Sequence, residues 1–305
     1  MTICAAGISG PRIIAVYDRK LSFFGGQISA EGVAWKQRQV NKQWDVLFAG
    51  DVSTLTPMLD AIQEAGKKCR EKGLRQFARV CARAYRAERE RIIEDEVLPD
   101  YDLSTYAEYL ALKSGDPDLF EAIGTKISAA EEGWHLLFCG FDEKRKPHLF
   151  VISDRGKIQY CDAHGFAAIG SGGYAAYIAL ASYPYNSNLD REDAAYCLLA
   201  AKFAAESAEG VGMETVLHVL LPGDAWSSFV LDTTVSSIRE KWRTLPRIPA
   251  GAADEIKEAL EKYDGALSRL RLKNRRKKGK VSLGSLAALG EGAPPETSPS
   301  TKENS

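Results

Sequence analysis

The sequence predicts an α+β domain: a four-layer αββα sandwich in which two antiparallel sheets stack face to face between helical layers. Three observations carry this. β-prone runs open the chain with no helix before them, and strand and helix patterns then come in blocks instead of alternating one for one. The 305 residues are 45% apolar, enough for one large core. The domain is expected to span 2–245, with a separate tail over 246–305.

Residues 2–8 (T-I-C-A-A-G-I) and 12–17 (R-I-I-A-V-Y) are β-prone and are joined by Ser9-Gly10-Pro11, a hairpin signal. A loop at Gly25 and Gly26 leads to a second strand pair, 33–40 and 44–49, so four strands are expected before any helix. From 54 to about 98 the pattern turns helical, because Leu74, Phe77, Cys81 and Tyr85 fall three or four apart. Pro57 suits a first turn, Gly66 and Gly73 divide the stretch, and Pro99 ends it. A further helical stretch from 104 to about 130 is broken near Gly115-Asp116-Pro117, which makes 54–130 an extended helical part. Its charged face, Arg79, Arg83, Arg86, Arg89 and Arg91 mixed with Glu88, Glu90 and Glu94, reads as solvated surface.

Strands return at 134–141 and 148–153 across a polar turn, and continue over 157–163. Ile169-Gly170-Ser171-Gly172-Gly173 opens a helix to about 183, and Asp190 is placed to cap another that runs to about 208. Residues 215–221 and 227–232 close the strand pattern. In the tail, Ile256, Leu260, Tyr263, Leu267 and Leu270 form a short heptad seam. A basic run at 271–278 and a Gly/Pro/Ser-rich stretch expected to be disordered follow it.

Composition narrows the function. A net charge of -1 gives no basic field, so nucleic acid is not expected except through the basic run, which reads first as a solvated tail. The six cysteines make no C-x-x-C pair and fit buried thiols of a reducing, cytoplasmic protein. No apolar run is long enough for a bilayer and no secretion signal opens the chain, so a membrane partner is not expected. The four histidines lack ligand spacing, and neither a metal nor any other cofactor is expected.

Chemistry enters at Thr2. A threonine hydroxyl is a weak nucleophile that needs a base within hydrogen-bond reach. An N-terminal threonine carries its own, an α-amine with a reference pKa of about 7.7–8.0. Thr2 is small enough for Met1 to be removed, so no propeptide is required.

Four landmarks follow in order: Thr2 opening the first strand, Asp18 ending the second, Lys36 in A-W-K-Q-R-Q-V, and Ala49-Gly50-Asp51 after the fourth. With I-G-S-G-G at 169–173, they make the chain resemble the proteasome β subunits and the proteolytic subunit of the bacterial two-component heat-shock protease. These are N-terminal-nucleophile hydrolases, and the likeness covers roughly 2–235. Between Asp18 and Lys36 this chain is two residues longer, an insertion that the Gly25-Gly26 loop absorbs.

The resemblance implies roles. Lys36, kept charged and oriented by Asp18, lowers the amine's pKa and favours the alkoxide. The Gly50 N–H serves the oxyanion, and Ser171 orients the amine. Phe48 forms the floor and Ala34 the wall of a substrate pocket, with Ala49 beside them. Peptide or protein substrates and a homo-oligomeric ring are implied, while an ATPase or regulatory partner stays unassigned. One departure stands out: where the family often has an aspartate and a serine before a glycine pair, Ser207 and Gly210 stand. Neighbouring Glu206 reads as a surface helix end or as a substitute for that aspartate. The leading function is a threonine-type endopeptidase or amidase. A non-catalytic ring or scaffold subunit and a small-molecule amidase of the same fold are the alternatives.

Overall fold

Strand alternation decides the architecture, because consecutive side chains of the first two strands serve two different cores. The computed structural model describes residues 2–23, 28–32, 35–69, 73–130, 134–153, 155–183, 185–222, 228–230 and 232–244. Met1, Ala34 and the expected tail lie outside the described residues.

One antiparallel sheet contains β1 (Cys4–Ser9), β2 (Arg12–Asp18), β10 (Phe166–Ile169), β11 (Thr215–Leu220) and β12 (Ser228–Val230), in the order β10-β1-β2-β11-β12. The other runs in sequence order through β5 (Gln37–Asn41), β6 (Trp44–Ala49), β7 (His135–Phe141), β8 (Pro147–Ser153) and β9 (Lys157–Tyr160). Cys4, Ala6 and Ile8 of β1 and Ile13, Ala15 and Tyr17 of β2 share a buried cluster with Leu47, Ala49, Leu137, Cys139, Leu149 and Val151 of the second sheet. The intervening Ile3, Ala5, Ile14 and Val16 instead join a cluster with helices α5 (Gly173–Ser182) and α6 (Arg191–Ala205). On the far side, Trp44, Val46, Phe48, Leu136, Phe138 and Phe150 cluster with α1 (Val52–Lys68) and α2 (Leu74–Glu96). The stacked Trp44 and Phe77 rings lie 4.6 Å apart at the centre of this layer. Sheets covered on both faces produce continuous apolar runs, and the four expected layers are present.

A satellite cluster of Ile93, Val97, Leu98, Tyr109, Ile123 and Ile127 joins α2 to α3 (Tyr106–Gly115) and α4 (Pro117–Ala130). Thr105 and Glu108 form a capping box at the start of α3. The Asp190 carboxylate accepts from Asp193 N–H at 2.9 Å, the expected cap of α6. Helix α7 (Asp232–Thr244) packs Val235, Ile238 and Trp242 against the α5–α6 cluster. Among the described residues, no helix is long and apolar enough to cross a membrane.

Several expectations need correction. A short ribbon of β3 (Leu21–Phe23) and β4 (Ile28–Ala30) precedes β5, so six strands come before α1, and β5 begins at Gln37. Strand β10 and helix α7 were not expected. Because α1 starts at Val52, Pro57 lies inside it and not in its first turn. Gly66 also lies within α1 and does not divide it; a Cβ there would stand 2.3 Å from Val40 Cγ1, so the glycine lets the helix approach the sheet closely. Arg89 is buried, with its guanidinium 5.5 Å above the Tyr106 ring, and it ties α2 to α3 instead of joining a solvated face.

Candidate active site

Antiparallel pairing of β1 with β2 sets Cys4 opposite Tyr17, which brings Thr2 and Asp18 to the same end of the sheet. The Asp18 N–H closes this end by donating to Ile3 O at 3.2 Å. Lys36 reaches in from the residue before β5, and its carbonyl accepts from Phe48 N–H at 3.2 Å. Strand β10 lies on the other side of β1, with Ile169 opposite Cys4, so the turn that follows it delivers Ser171. Four residues far apart in sequence therefore converge.

Asp18 is the hub. Its Oδ1 accepts from Ile3 N–H at 2.8 Å, from Lys36 Nζ at 2.9 Å and from the Thr2 hydroxyl at 2.5 Å. Its Oδ2 accepts from Lys36 Nζ at 2.9 Å, Lys20 N–H at 3.2 Å and Gly212 N–H at 3.1 Å. Thr2, Asp18 and Lys36 are 4%, 0% and 3% exposed, so the ion pair is formed away from water. Such a pair persists only when the remaining lone pairs are satisfied, and Asp18 meets that condition.

Lys36 Nζ also donates directly to Thr2 Oγ1. Thr2 N, a peptide nitrogen while Met1 is attached, donates to Ser171 Oγ at 3.1 Å, and Gly172 N–H holds the Thr2 carbonyl at 3.1 Å. The hydroxyl thus sits between an ammonium and a carboxylate, and the nitrogen of the same residue is fixed by a serine. The Lys36 ammonium favours negative charge on Oγ1, Asp18 holds that ammonium in place, and the Thr2 nitrogen keeps a potential base beside the hydroxyl. Cys4, one residue inside β1, is no rival nucleophile: burial pushes its thiol well up, outweighing the opposing pull of Lys36, and the thiol donates to Phe48 O at 3.4 Å.

The remaining expected residues are placed as follows. Gly50 follows β6 with φ +133, a conformation that favours glycine. Ala49 is buried between the sheets, opposite His135. Phe48 is buried on the helix side in the cluster that holds Leu55, Met58 and Trp134. At the divergent stretch, Ser207 Oγ turns back to Ala204 O at 2.8 Å, and Gly210 takes a left-handed turn. The group that reaches the cluster from this loop is the Gly212 amide, which sequence reasoning missed; a glycine-containing turn was the only signal there. Glu206 is not a surface helix end but lies buried between Lys202 and Arg239. Cys4, Cys81, Cys139, Cys161 and Cys197 are buried free thiols. Among the described residues, no three His, Cys, Asp or Glu side chains group as a metal site.

Residues 127–214 match the proteasome subunit family. The matched segment includes Ser171 and the divergent loop, and ends before β11. The fold is similar to that of the Gly-1 mutant of Anbu from Hyphomicrobium sp. strain MC1, at 16% identity and a TM-score of 0.57, over 86% of this chain and 97% of that one. No curated protein sequence matches the chain. The segment match and the layered architecture point the same way: residues 127–214 are proteasome-subunit-like, and the chain has the αββα sandwich of the N-terminal-nucleophile hydrolase fold.

Proposed function

We propose that the protein is a threonine-type peptidase or amide hydrolase whose nucleophile is Thr2, freed by removal of Met1. One observation carries this reading: Lys36 Nζ bonds Thr2 Oγ1 while Asp18 holds both. The free α-amine, held by Ser171, takes the Oγ1 proton directly or through water as that oxygen adds to the substrate carbonyl. The carbonyl electrons move onto its oxygen, where the Gly50 N–H donates to the developing charge. Collapse breaks the C–N bond, and the leaving amine departs with the proton held by the Thr2 amine. Water then adds to the ester by the same route, releasing the acid and restoring Thr2. Lys36 remains an ammonium throughout and stabilises the oxygen before and after each addition. No cofactor takes part.

The same reading carries peptide or protein substrates, a cytoplasmic setting and a homo-oligomeric ring, in keeping with the proteasome-subunit match. Phe48 and Ala34 belong to the pocket for the residue before the cleaved bond, where a large floor favours small side chains, while Ala49, whose side chain turns between the sheets, contributes its backbone. Replacing Phe48 by Leu should therefore widen the accepted side chains in a short-peptide panel; an unchanged preference removes that role.

Intact-mass analysis after treatment with a β-lactone tests the nucleophile. The expected result is loss of Met1 and a single adduct on Thr2, absent from Thr2→Ala. Retained Met1 with no adduct overturns the reading and leaves the second one, a non-catalytic ring subunit. That alternative is favoured by one observation: at the divergent loop, Ser207 folds back on its own helix instead of supporting Thr2.

A further inference from the structure

The Gly212 amide that holds Asp18 Oδ2 is itself fixed by charges the catalytic reading does not use. Lys202 Nζ, fully buried on α6, donates to Gly212 O at 2.8 Å and to Met213 O at 3.0 Å. Arg239 on α7 donates through Nη2 to Met213 O, and to Thr215 Oγ1 at 3.1 Å. Thr215 is the residue paired with Asp18 across β2 and β11. Both cations share Glu206 Oε1, at 2.5 Å from Lys202 and 2.9 Å from Arg239. One carboxylate facing two buried cations leaves a surplus positive charge, and the carbonyls of Gly212 and Met213 take it up. Burying such a set is expensive, and nothing about closing a helix end requires it.

We propose that Lys202, Glu206 and Arg239 form a positioning cluster that grips the adjacent Gly212 and Met213 carbonyls, aims the Gly212 N–H at Asp18, and thereby sets the Lys36–Thr2 contact. The cluster stands where the aspartate and serine expected from the resemblance are missing, and it rests on the reading of Thr2 as nucleophile. None of the three side chains touches the reacting atoms; they act through Gly212 and Asp18. Burial pulls the Lys202 ammonium down to about 8, with Glu206 opposing, Arg239 reinforcing and Asp18 weakly opposing that shift. Above that pH the grip on the two carbonyls weakens.

Wild type, Glu206→Gln and Lys202→Met should be compared by amide hydrogen exchange and by the rate of β-lactone labelling across pH. Retained protection of the β1 and β2 amides establishes that each variant is folded, and the isosteric Glu206→Gln keeps the test open if Lys202→Met is not. Exchange at Gly212 should rise and labelling at Thr2 should slow, each on the order of tenfold or more, with reagent affinity unchanged. The decline in wild-type labelling above about pH 8 should be missing from Lys202→Met, which a purely structural role would not produce. Wild-type exchange at Gly212 together with wild-type labelling in the folded variants would overturn the proposal. If wild type itself takes no label, the nucleophile reading fails separately; Gly212 exchange then decides alone, a rise keeping the clamp and no change removing it.

Discussion

At the scale of single residues, the Lys36–Asp18 pair must be judged as a buried charge before it is judged as a catalytic one. Its side chains are 4% and 0% exposed, so removing one partner strands the other in a poorly solvated site. Breaking a buried pair in this way costs about 3–5 kcal/mol. Lys36→Met should therefore lower the free energy of urea unfolding by about that amount while abolishing β-lactone labelling. The double variant Lys36→Met/Asp18→Asn should recover part of the stability, because no charge is left stranded and the single amide oxygen can still accept from Lys20 and Gly212, yet remain unlabelled. A double variant as unstable as the single one would show that burial of Asp18 is not what makes Lys36 structurally necessary.

At the scale of elements, the sequence is most readable where an element's own pattern decides its structure. The hairpin of β1 and β2 was visible because β-prone runs flank a Gly-Pro turn, and α6 because Asp190 caps an apolar helix. Strand β10 was missed because Phe166–Ile169 is too short to show a period and gains its place only by pairing with β1. Helix α7 did leave a signal, Val235, Ile238 and Trp242 at helical spacing, but in a polar setting, and no element is predicted between 232 and the tail. The start of α1 shifted because Val52 is helical from the first residue after Asp51, which leaves Pro57 a full turn inside. The site divides the same way. Thr2, Asp18, Lys36 and Ser171 were legible through their order and spacing, whereas Lys202, Glu206 and Arg239 were not. Nothing local announces that a lysine on α6 and an arginine on α7 will close over the adjacent carbonyls of Gly212 and Met213, because those contacts exist only after both helices dock on the sheet.

For the whole folded layer between the sheets, the half-buried Asp45 and the buried His218 pull stability in opposite directions with pH. Asp45 lies on β6 in alternation with Leu47 and Ala49, and burial raises its carboxyl to about 6, with a Gln37 hydrogen bond opposing. His218 lies on β11 opposite Ala15, and burial lowers its imidazole to about 4. The folded state thus holds the Asp45 proton more tightly than the unfolded chain, and stability falls as pH rises from about 4 through 6, by roughly 3 kcal/mol. The His218 imidazole is kept neutral, so its contribution is present above about 6.5 and is lost as pH falls toward 4, by a similar amount, roughly 3 kcal/mol. Over the shared window the two slopes offset each other. Asp45→Asn removes one of them: urea unfolding should show a gain of up to about 3 kcal/mol at pH 7, little change at pH 4, and a steep acid decline between them. Identical pH profiles for variant and wild type would mean that the Asp45 carboxyl is solvated in the folded protein, and that the inter-sheet layer does not close over the end of β6 as its alternation requires.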